Sequence, residues 1–149
     1  PITGCKYITL EIVDDGPLMI NDYFEISRLI IGPCWRPTYN TSFGLESGFV
    51  DLSTSSRSEA GDLFTSNAPS YSTLKFDLKY MNKSDRTELN KILKLVGTKK
   101  PIFVSLFPDS TTDWDMEQQY QIYGKLSSIS GIQHTMSTIY SSSIEIEEI

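Results

Sequence analysis

Histidine occurs once in this 149-residue chain, at His134, and cysteine only twice, at Cys5 and Cys34. Neither cysteine stands in a C-x-x-C pair or near a second histidine, which excludes a zinc site built from those two residue types. Any Ser-His-Asp or Cys-His arrangement would depend on His134, which lies between Gln133 and Thr135 in an alternating segment. Nucleophilic catalysis needs a base oriented by a third group, and no such group is indicated. His134 therefore reads as a solvent-facing or locally hydrogen-bonded side chain. Glycine-rich phosphate cradles of the G-x-G-x-x-G or G-x-x-x-x-G-K-[ST] kind are missing. No stretch approaches the roughly 18 apolar residues of a membrane-spanning helix. Positive charge is in deficit, with 13 Lys and Arg against 19 Asp and Glu for a net charge of −6. Nucleic-acid affinity rests on clustered cations that release counterions, so neither nucleic acid nor membrane is an expected partner. The densest basic group, Lys91, Lys94, Lys99 and Lys100, reads as a helix C-terminus and the turn after it.

Apolar residues are sufficient for folding. Hydrophobic residues make up 39% and aromatics 11% of the chain, enough for one core in a domain of this length. The dominant pattern is period two. Residues 6–13 alternate Ile8, Leu10 and Ile12 against Tyr7, Thr9 and Glu11, and residues 24–31 alternate again before Gly32 and Pro33. Between residues 35 and 69 the pattern weakens into long loops, with short strands expected at 48–52 and 62–65. So irregular a span in a compact domain points to a binding or assembly surface. Residues 71–78 alternate through Leu74, Phe76 and Leu78, and a helix follows. Asn82 is its expected N-cap, Leu89, Ile92, Leu93 and Val96 form one apolar stripe, and Gly97 is the stop. Further strands are expected at 102–107, there buried on both faces, and at 119–126, 133–140 and 143–149. The fold class predicted is mainly β, a jelly-roll-like β-sandwich with one amphipathic α-helix in a strand connection, forming a single domain over 1–149.

Candidate chemistry is sparse. The acidic residues Asp109, Asp113, Asp115 and Glu117 could offer oxygen ligands, but their spacing does not match an EF-hand loop, and a solvated loop is the simpler reading. No metal or cofactor is expected. A glycosidase needs two carboxylates at a fixed separation, which sequence does not reveal. Exposed rings are the remaining lead: Trp35, Tyr39 and Trp114 are the candidate ligand or partner contacts, having apolar bodies with polar tips. Cys5 and Cys34 read more readily as free thiols than as a disulfide.

Residues 7–15, Tyr-Ile-Thr-Leu-Glu-Ile-Val-Asp-Asp, and 23–33, Tyr-Phe-Glu-Ile-Ser-Arg-Leu-Ile-Ile-Gly-Pro, resemble structural proteins from the tails of double-stranded DNA phages. Pro37 and Asn40 match the Pro and Asn that follow there. The second half is similar too, in Phe76-Asp-Leu, the capped helix, Gly97, Lys100-Pro-Ile-Phe-Val-Ser-Leu-Phe, Tyr123-Gly124 and the closing Ile-Glu-Ile-Glu-Glu at 144–148. The resemblance implies a virion protein of the distal tail, baseplate or hub that assembles with copies of itself and other tail proteins and has no active site. It also offers residues 1–37 as the end of a preceding jelly-roll segment, with Pro1 either a processed start or an internal one. Trp35-Arg36 departs from the family pattern in bulk. The alternative reading is a non-catalytic carbohydrate-binding sandwich module, for which a host-surface glycan would be the partner.

Overall fold

The structure is a computed structural model that describes residues 8–11, 26–108 and 114–149. The chain divides into two units, Pro1–Trp35 and Arg36–Ile149. In the first unit, residues 8–11 and 26–31 carry no strand ladder, contrary to the expectation from their alternation. Alternation decides which side chains share a face, whereas a strand exists only when a partner takes its N–H and C=O groups. The remainder of those two expected strands lies outside the described residues. Cys34 is an exposed free thiol, and Cys5 also lies outside them.

The second unit contains β1 (Glu46–Asp51), β2 (Ser55–Arg57), β3 (Leu63–Thr65), β4 (Ser70–Met81), α1 (Lys83–Val96), β5 (Ile102–Ser105), α2 (Trp114–Gln119), β6 (Gln121–Leu126), β7 (Gln133–Met136) and β8 (Ile139–Glu148). Every pairing is antiparallel. The main sheet has the order β1-β4-β8-β6-β5, with β7 pairing the first half of β8, and β2 and β3 form a separate two-stranded sheet. Strands account for 39% and helices for 16% of the described residues. The fold class is the one the alternation predicts: mainly β, sandwich-like, with the amphipathic helix in the β4 to β5 connection.

One face of the sheet holds the core. Cross-strand partners project to the same side, so the register Leu74↔Ile146, Phe76↔Ile144 and Leu126↔Ile146 gathers these side chains into one buried layer, joined by Leu78 and Ile122. A bulge between Leu78 and Met81 inserts one extra residue into β4. It returns Met81 to the buried side opposite Tyr140 while Lys79 and Tyr80 stay exposed. Leu89 and Leu93 of α1 are buried, with Ile92 and Val96 half-buried beside them. The Asn82 side chain accepts from the Asp85 N–H at 2.8 Å, and Gly97, at φ 56°, donates its N–H to the Leu93 carbonyl at 2.9 Å. Both caps stand where the sequence places them.

The chain entering this unit is fastened to α1, to β4 and to the residue that follows β5. The Thr38 N–H donates to the buried Asp85 carboxylate, and Asn82 Nδ2 donates to the Thr38 hydroxyl. Asn40 Nδ2 donates to the Leu106 carbonyl at 2.8 Å, and the hydroxyls of Thr41 and Ser42 donate to the Asp77 carbonyl.

Four local expectations are corrected. Strand β5 lies at the edge of the sheet and is only partly buried, with Phe103 47% exposed, so it is not a strand covered on both faces. Residues 114–119 are helical where a loop and a strand start were expected. Two strands at 133–140 and 143–149 become a hairpin, Met136 pairing Ile139 across Ser137 and Thr138. The serine-rich residues 55–57, expected to be loop, form β2. In the three strand cases the pairing partner decided the element, and partners are invisible to a local pattern.

Candidate functional site

The three rings singled out in the sequence fall on separate elements. Trp35 ends the first unit and is half-buried. Tyr39 stands in the entering segment of the second unit, 63% exposed, and Trp114 is the first residue of α2. His134 of β7 stacks on Tyr140 of β8, with centroids 4.7 Å apart and planes inclined by 13°. The contact spans the strand pair, and His134 itself is exposed. Of the acidic group, Asp115 and Glu117 lie in the first turn of α2, where the helix dipole favours negative charge. Asp109 and Asp113 lie outside the described residues.

The feature that stands apart is the ribbon of β2 and β3. β1 and β4 pair from Glu46↔Lys75 to Asp51↔Ser70. The same hairpin continues outward through Leu52 N–H to the Pro69 carbonyl and Ser66 N–H to the Thr54 carbonyl, into Ser55↔Thr65 and Arg57↔Leu63. The pairing of β8 with β4 begins at Thr73. Residues 52–69 therefore extend past the sheet as two strands. A turn closes the tip, in which the Ser58 N–H donates to the Asp62 carbonyl and Gly61 adopts φ 91°, a conformation that favours glycine. Arg57 Nη1 donates to the Gly61 carbonyl at 3.0 Å.

Every residue of β2 and β3 is exposed. Polar pairs run along the ribbon, Thr54 with Ser66 at 2.8 Å and Ser55 with Thr65 at 3.2 Å. Leu63 and Phe64 are nevertheless 59% and 61% exposed. A two-stranded ribbon is marginal in water, and apolar side chains that it leaves uncovered favour contact with another surface. At its root, the Ser53 N–H donates to Asp51 Oδ1 at 2.8 Å. That backbone bond, with the Ser53 hydroxyl adding to it, holds the Asp51 carboxyl below its usual pKa of 3.8. Sequence reasoning marked this region as an assembly or binding surface but did not single out Leu63 and Phe64. Two adjacent apolar residues in a serine-rich stretch were the available signal.

No protein-family model matches the chain, and no curated protein matches it by sequence.

Proposed function

We propose that the protein is a virion structural subunit of a phage tail, assembling through protein–protein contacts into a distal tail ring or hub. The observation that carries the assembly part of this reading is the uncovered β2–β3 ribbon. In a closed ring, a neighbouring copy or another tail protein covers Leu63 and Phe64 and takes the free edge groups of the two strands. The edge strands β1 and β5 offer further groups of the same kind. The phage part of the reading rests on the resemblance at residues 7–15, 23–33 and through the second half.

Light scattering on the full chain across a dilution series tests assembly. The expected result is a multi-subunit species that the double variant Leu63→Ser, Phe64→Ser converts to monomer, with circular dichroism and melting temperature unchanged. A parent chain that stays monomeric at every concentration overturns the reading. Density for this chain at the distal end of a tail, in images of whole particles, tests its location.

A further inference from the structure

An open groove of about 850 Å³ runs between α1 and residues 129–134, sharing no residue with the ribbon. Arg86, Asn90 and Lys94 line one wall at i, i+4 and i+8, a single row along the helix surface. Ile129, Ile132, His134 and Tyr140 line the other. Among the described residues no aspartate or glutamate contributes to the lining, although acidic residues outnumber basic ones 19 to 13 in the chain. The Arg86 guanidinium carbon lies 4.7 Å from the centroid of the Tyr140 ring, and Tyr140 is itself stacked with His134. Cation–π contact holds the guanidinium in place without consuming its N–H donors. Among the described residues no carboxylate pairs with Arg86 or Lys94, whereas Lys91, absent from the lining, is paired with Glu88 at 2.6 Å.

We infer that this groove binds a small organic oxyanion with a flat apolar body, the anionic group taken by Arg86 and the body lying against the ring and isoleucine wall. A positioned planar fork of donors suits the paired oxygens of a carboxylate or phosphate. Lys94, about 12 Å further along the helix by α-helical rise, adds charge attraction at longer range. The volume falls within the range of roughly 300–1,000 Å³ typical of small-molecule sites. The inference is independent of tail assembly.

Phenyl phosphate and benzoate, with phenol as the neutral counterpart, are the probes, titrated into the full chain at low salt and followed by amide chemical shifts and calorimetry. Saturable binding of one or both anions is expected, with shifts centred on Arg86, Asn90 and Gly131 and affinity that falls as salt is added. Arg86→Gln is expected to weaken binding about tenfold, the worth of one charge-assisted hydrogen bond, and Lys94→Gln about two- to threefold. Lys91→Gln should leave it unchanged. The exposed Lys94→Glu reverses a charge without touching the core, so a folded Lys94→Glu chain with parental affinity overturns the inference, whatever Arg86→Gln does to folding. Phenol binding as tightly as phenyl phosphate, or no saturable binding of either anion, overturns it as well.

Discussion

Leu74 and Asp51 mark the two extremes of what a single side chain does in this protein. Leu74 is 2% exposed and pairs in register with Ile146, which is fully buried, so its truncation leaves a cavity that rigid β-strand neighbours do not close. Leu74→Ala is expected to cost about 2–5 kcal/mol, read from the shift in urea midpoint. Asp51 is exposed and acts through its charge. Because bonds from Ser53 lower its folded-state pKa, ionisation is favoured in the folded chain. The resulting stabilisation is fully present above the ordinary carboxylate range and is lost as pH falls through 3.8 toward the lowered value. Asp51→Asn should therefore be less stable than the parent near neutral pH and indistinguishable from it in strong acid. Urea titrations at the two pH values make the comparison, and a difference that persists in acid would assign the effect to shape and not charge.

Strand pairing controls the next level. Gly124 of β6 stands opposite Glu148 of β8, and a Cβ placed on it would lie 2.0 Å from the Glu147 carbonyl oxygen. That neighbour is backbone of the central strand, so it cannot swing aside as a flexible side chain would. Gly124→Ala is expected to destabilise by about 1–3 kcal/mol and to accelerate amide exchange along β5 and β6, which reach the sheet through this contact. Parental stability and exchange in that variant would show that β6 shifts along β8 at little cost. The β4 bulge answers a related problem. By adding one residue, it lets a 12-residue strand serve both the sheet centre and the start of α1 with apolar residues on the same side.

Across the whole molecule, every buried apolar side chain among the described residues lies between Leu74 and Ile146. The core among the described residues thus lies in the second unit, and residues 36–149 are expected to fold without residues 1–35. A chain starting at Arg36 should unfold in a single cooperative transition with a positive heat-capacity change. A molten, non-cooperative melt would mean that the leading unit completes the core. A cooperative melt of that shorter chain would fit the proposed role, since a self-contained core leaves the apolar residues of the ribbon available to neighbours.

The sequence by itself determined the mainly β class, the alternating faces of β4 and β8, and α1 with both of its caps, because all of these arise from contacts within a few residues along the chain. His134, read from the sequence as solvent-facing or locally hydrogen-bonded, is exposed and stacks on Tyr140 of the neighbouring strand, a partner its own segment does not reveal. Tertiary structure decided the rest: that β5 is an edge, that β2 pairs β3 beyond the sheet, that Leu63 and Phe64 lie uncovered, and that Arg86 meets Tyr140 and His134 across a groove. Those outcomes depend on which strand takes which partner, a choice made by side chains far apart in sequence competing for the same hydrogen-bonding edge and the same buried layer.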